Sequence, residues 1–261
     1  MKNIKKTLAA AVLAVLPLTA WSADTKPQGA EPAAGQTAEA IEFSEAERRM
    51  WMTDQLASID EPMVMTYRFE RGGSYEPGFE DTVEFTVSKV RDDGMKAASL
   101  NFFTGERNFP VPPVEATNVN PVLGVYLQGD VYEMNRLTDE RGKAKERWRY
   151  FHRQIKFALA SDATVEPTTI TFAGETYEGH RITFSPYAED PHRDEFERFA
   201  DKRYTVVVSD ALPGYLYEIE TVIPGEGKNF DAPLILERLT LESAEPMAQM
   251  EASRSAGQAQ G

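Results

Sequence analysis

The chain has 261 residues, a formal net charge of −14 and no cysteine. That charge argues against nucleic acid as a partner and against general attraction to anionic membranes. The missing thiols exclude cysteine catalysis, iron–sulfur clusters and cysteine-based zinc sites, and leave the fold to stand on its core alone.

Lys2, Lys5 and Lys6 precede "LAAAVLAVLPL" (8–18), an apolar run of 11 residues. It is too short to span a bilayer and has the length of a signal-peptide core. Cleavage near residue 22 would place small Ala20 and Ser22 at the two specificity positions. No cysteine follows for lipid attachment. The expectation is an exported, periplasmic protein with a signal peptide over 1–22, not an integral membrane protein. Residues 23–40 are rich in Ala, Pro, Gly and polar residues and lack large apolar side chains. They read as a disordered linker, and 246–261 as a disordered tail, because neither can bury enough to offset the entropy of ordering. One α+β domain is expected over 41–245, dispensing with both tails and monomeric.

The domain opens with a helix. In "FSEAERRMWMTDQLASID" (43–60), Ser44 and Glu47 form a capping box, and Met52, Leu56 and Ile59 recur at helical spacing. Pro62 bars its continuation. Period-2 alternation then marks strands at 63–70, 81–90 and 95–103. Met63, Met65, Tyr67 and Phe69 share one face of the first. The segment "ERGGSYEPGFED" between the first two reads as a long hairpin tip. After the helical middle of the chain come strands at 168–173, 175–187, 202–210, 214–223 and 233–243, with a short helix around Phe196–Ala200. The fold class that follows is α+β: a curved, half-barrel-like antiparallel sheet of about eight strands, an N-terminal helix and a two-helix insertion mid-chain.

The insertion is "NPVLGVYLQGDVYEMNRLTDERGKAKERWRYFHRQIKFALAS" (120–161). Asn120 is an N-cap with Pro121 at the first helical position. Leu123, Tyr126, Leu127, Val131, Met134 and Leu137 form one apolar stripe, interrupted by Gly129, which signals either a close backbone contact or nothing. The second helix puts Trp148, Phe151, Ile155, Ala158 and Leu159 on one side and Lys145, Arg149, Arg153 and Lys156 on another. From Arg141 to Lys156 there are seven Lys/Arg and one Glu. This strip is either a solvated face or a docking strip for an anionic headgroup or acidic protein.

No catalytic residues, cofactor or metal are assigned. His152 lies beside the basic strip, His180 in a strand and His192 in a polar loop, and no H-x-x-x-H or H-E-x-x-H occurs. "EDPHRDE" (189–195) is rich in oxygen ligands, but its spacing fits no calcium loop, and it reads as a solvated loop. Nucleophile elbows and phosphate loops are absent as well.

The order of helix, strands, two helices and further strands, with "NVNPVLGVYL" (118–127) opening the helical segment, resembles the LolA-type periplasmic lipoprotein carriers. "NPVLGVYLQGDVYEMNRLT" also resembles uncharacterised exported proteins of Proteobacteria, which supply no activity. The carrier resemblance implies an incomplete barrel lidded by helices. It implies a non-catalytic protein that holds an acyl chain, lipid or lipoprotein of the cell envelope, contacted by Met65, Tyr67, Phe69, Leu123, Leu127 and Met134. The same residues are also what an ordinary dry core contains. The alternatives are a periplasmic hydrolase without a recognisable motif and an envelope scaffold or interaction protein.

Overall fold

The computed structural model describes residues 42–139 and 147–249. The signal peptide, the whole linker, Lys145 and the tail from 250 onward lie outside the described residues.

Nine strands form one open antiparallel sheet: β1 (Met63–Gly72), β2 (Phe79–Val90), β3 (Lys96–Phe102), β4 (Phe109–Thr117), β5 (Thr164–Phe172), β6 (Glu175–Phe184), β7 (Arg203–Val208), β8 (Leu216–Ile223) and β9 (Ile235–Pro246). Their order across the sheet is β4-β3-β2-β1-β9-β8-β7-β6-β5. The chain builds one half as a meander, crosses over through the helices, builds the other half from the far edge inward, and closes with β9 against β1. Register shifts between Thr66 and Tyr67, between Val87 and Lys89, and between Val207 and Val208 mark bulges that bend the sheet.

β4, "FPVPPVEAT", is the ninth strand and was not expected. Its prolines hide it from a propensity reading, yet they suit its position. β4 and β5 are the two edges, and β5 also carries a proline, Pro167. Proline is tolerated where no neighbour needs its missing N–H, and it blunts an edge against further pairing.

The inner face carries Met65, Tyr67, Phe69, Val83, Phe85, Ile182, Phe184, Tyr204, Val206, Ile219, Leu239 and Leu241, all buried in one cluster. The outer face is polar and laced with pairs such as Arg68–Glu80 and Arg238–Glu220. Two long helices, α2 (Pro121–Thr138) and α3 (Arg147–Ser161), lie on the inner face.

The first helix is shorter than its sequence pattern. The Ser44–Glu47 capping box forms in full at α1 (Glu45–Glu47), which continues as a wider π turn through Met52. There the chain turns away at Thr53, so Leu56 and Ile59 are buried from irregular structure while Met52 is 52% exposed. The reason is a tether: the Gln55 amide N–H donates to Asn118 O, and its side chain donates to Met50 O. At the other end, β9 runs three residues past the expected Ser243, and the Met247 amide bonds Pro62 O. α4 (Arg193–Phe196) supplies the short helix near Phe196.

Candidate functional site

The candidate site is the contact between α2 and the inner face of the sheet. Met65 and Tyr67 of β1 and Met134 of α2 are fully buried, and Phe69, Leu123 and Leu127 are at most 4% exposed. The sheet thus brings all six together in one core cluster.

Polar ties hold α2 down along this apolar contact. At its start, the Asn120 side chain caps Val122 N at 3.0 Å and reaches the sheet as well. Its amide donates to Tyr67 Oη at 2.9 Å and to Gly214 O at 2.8 Å, while Asn120 N donates to Gln55 Oε1. Gly214 has φ +74°, and a Cβ there would sit 2.6 Å from Met65 Sδ, so only glycine fits. One turn on, Tyr126 Oη and Thr221 Oγ1 of β8 are 3.3 Å apart.

In the middle, Asp130 bonds Lys202 Nζ, and it accepts from Tyr204 Oη at 2.5 Å. Both members of this ion pair are essentially inaccessible, with side chains 1% and 2% exposed. Burial raises the Tyr204 and Tyr187 hydroxyls well above the ordinary tyrosine range, and the Asp130 charge adds to it, so both stay protonated as donors. Near the end of α2, Glu133 accepts from Arg71 of β1 at 2.7 Å and from Arg136, which also pairs with Glu76 of the hairpin tip. Burial works against the Glu133 carboxylate, but the bonds from Arg136 and Arg71 outweigh it and hold its pKa at about 2. Glu237 of β9 also pairs with Arg71, and there burial prevails and pushes its pKa up.

Sequence reasoning missed this set of ties. Asp130 gave a signal that was available: a charged residue inside the stripe Tyr126, Leu127, Val131, Met134 needs a buried partner. Its partner, Lys202, sits 72 positions away, and no local pattern points to it. Gly129 settles as an open position, with nothing within 4 Å of an added Cβ.

α3 is attached differently. Phe151 packs against Tyr187 and Phe196 with centroids 5.2 and 5.1 Å apart. Tyr150 and Gln154 donate to Asp190 at 2.7 Å each. Most of 189–195 is exposed, as expected of a solvated loop, but Asp190 departs from it, being only 7% exposed and anchoring a helix. Arg149, Arg153 and Lys156 are exposed on the opposite face, Arg149 over the Trp148 ring and Arg153 over Tyr150. His152 is half-buried, and burial followed by the nearby Lys156 charge lowers its pKa, which favours the neutral ring. His180 contacts Arg49 at 2.9 Å and His192 contacts Glu195 at 3.1 Å. Among the described residues no three His, Cys, Asp or Glu side chains cluster as metal ligands.

A cleft of about 500 Å3 is lined by Arg198, Asp201, Gly225, Lys228 and Leu234 among others. α2 packs on the turn at 197–199 that borders it, and Leu234 also packs against the core. No helix among the described residues is long and apolar enough to cross a membrane.

No protein-family model matches the sequence, and sequence comparison finds no curated relative. Solved structures do show likenesses. Lipoprotein LppX of Mycobacterium tuberculosis is 11% identical over 76% of this chain and 95% of that one, with TM-score 0.31. LprF from Mycobacterium bovis is 10% identical over 77% and 94%, with TM-score 0.29. A LolA superfamily protein from Nitrosomonas europaea is 8% identical over 77% and 93%, with TM-score 0.20.

Proposed function

We propose that the protein is a non-catalytic binding or carrier protein of the bacterial periplasm that holds an acyl chain, free or attached to a lipid or lipoprotein, between α2 and the inner face of the sheet. The observation that carries this reading is the construction of that contact. An open sheet is covered by a helix whose apolar stripe meets Met65, Tyr67 and Phe69, and the helix is fastened at separate polar points along its length. Unbranched methionine on both sides adapts to irregular apolar shapes. A ligand enters from the cleft at Leu234, and α2 shifts to admit it.

Titration of the mature protein with cis-parinaric acid, followed by its fluorescence, tests this. Saturable binding of one chain per protein, competed by palmitate and weakened at least fivefold in Leu234→Arg, is the expected result. A folded protein that shows no saturable binding up to the solubility of the probe overturns the reading.

A further inference from the structure

α3 presents a second surface whose chemistry the interior does not use. Arg149, Arg153, Lys156 and Phe157 are all exposed and recur at i, i+4, i+7 and i+8, so they form one stripe along the helix. Phe157 is 57% exposed, the most exposed large apolar side chain among the described residues. α3, "RWRYFHRQIKFALAS", contains no acidic residue, in a chain whose net charge is −14. Near the C-terminal end of α3, Ser44 Oγ donates to Leu159 O at 2.7 Å, and the adjoining Phe43 is 41% exposed. Exposed Arg48 holds the Phe43 carbonyl at 2.5 Å. Of the glutamates close by, Glu47 is in the capping box and Glu45 pairs with Arg49, while Glu42 beside Phe43 is exposed.

Solvated helical faces carry charges readily, but two exposed phenylalanines near one end of the helix that carries this basic stripe are not explained by solubility. Basic side chains interleaved with bulky apolar ones are the pattern of helices that lie in a membrane interface. We infer that the outer face of α3, through Arg149, Arg153, Lys156 and Phe157 with Phe43 near the helix end, docks the protein on a bilayer surface rich in anionic headgroups. Charge complementarity argues for this occupant. The acidic remainder of the chain is repelled by the same surface, so the molecule is turned with α3 toward the lipid. Attraction is therefore local and orienting rather than general, which reconciles it with the acidic composition. The inference is independent of what the interior holds.

The test uses the full mature chain and vesicles of phosphatidylcholine alone or with 30% phosphatidylglycerol, read by co-sedimentation. Binding is expected on the mixed vesicles and is expected to be lost at about 0.5 M salt, where screening reaches only a few ångströms. Three charges at the usual contribution of a surface Lys or Arg amount to roughly 100-fold, so Arg149→Gln/Arg153→Gln/Lys156→Gln should lose most of the affinity. Phe157→Ser should weaken binding several-fold at low and at physiological salt alike. Circular dichroism melting shows whether each variant is folded. Since these side chains are exposed, unchanged melting with lost binding supports the inference. Binding indifferent to phosphatidylglycerol, unchanged in both variants, or displaced by millimolar free glycerol phosphate overturns it. The last result would mean a headgroup pocket and not a surface. Acyl-probe binding is read separately, so loss of one property leaves the other standing.

Discussion

The two helices of the mid-chain insertion lie side by side on the same sheet and solve opposite problems. α2 is buried on nearly every side, with only Gly129 and Arg136 exposed, and it meets the sheet through charges and hydrogen bonds as well as apolar contact. α3 is amphipathic: Phe151, Ile155, Ala158 and Leu159 are buried, and its outer face is basic and aromatic. A helix surrounded by protein has little solvent to satisfy its polar groups, so Asn120, Tyr126, Asp130 and Glu133 find partners in the fold, while Gln128 Nε2 and Asn135 Oδ1 are buried with none. A helix with one open face can carry its basic side chains at the surface, as α3 does with Arg149, Arg153 and Lys156. Under the two proposals above, α2 governs access to the interior and α3 governs where the molecule sits.

The contrast breaks most visibly at the Asp130–Lys202 pair. Lys202→Met alone strands a carboxylate in the core and should cost about 3–5 kcal/mol in urea denaturation, as should Asp130→Ala. Asp130→Leu combined with Lys202→Met should return to within about 1–2 kcal/mol of the parent, because the cost lies in the unpaired charge. Single variants that lose less than about 1 kcal/mol would mean that α2 is not pinned there.

Asn120→Ala comes next, at about 2–3 kcal/mol, since it removes the cap and leaves Tyr67 Oη and Gly214 O short of a donor. The same measurement applies, and a loss below about 1 kcal/mol would reduce Asn120 to an ordinary cap.

Acid titration sharpens the comparison at the end of α2. Glu133 has a folded pKa of about 2 against an ordinary 4.5. A depressed carboxylate contributes its full stability above the ordinary value and loses it as pH falls through the folded one. Stability should therefore drop between about pH 4.5 and pH 2, by about 3 kcal/mol from this residue, and Glu133→Gln should flatten that part of the profile. Glu237, on the same Arg71, acts in the opposite sense because its pKa is raised. Glu237→Gln should steepen the acid loss. Identical profiles in parent and Glu133→Gln would remove Glu133 from the set of ties.

The smallest effect is expected on α3. Arg153→Gln and Phe157→Ser should each change stability by less than about 0.5 kcal/mol, because both side chains are exposed. A larger loss in either would show that the outer face of α3 belongs to the fold and is not spare.

Much of this architecture is carried by local pattern. The alternation in 63–70 and 81–90, the Ser44–Glu47 box and the Asn120-Pro121 start each depend on residues a few positions apart, and each appears in the structure near its expected place. The exposed basic stripe of α3 was legible for the same reason, since helical periodicity alone puts Arg149, Arg153 and Lys156 on one side. Only the tertiary structure decided the rest. Edge position makes a strand of the proline-rich β4 against its propensity. The tether at Gln55 ends the first helix early. Asp130 finds Lys202, and Asp190 finds Tyr150, across distances in sequence that no period spans. A polar side chain declares locally that it needs a partner when it falls in an apolar stripe. Which residue answers depends on how the chain crosses from one half of the sheet to the other, and that is a property of the whole fold.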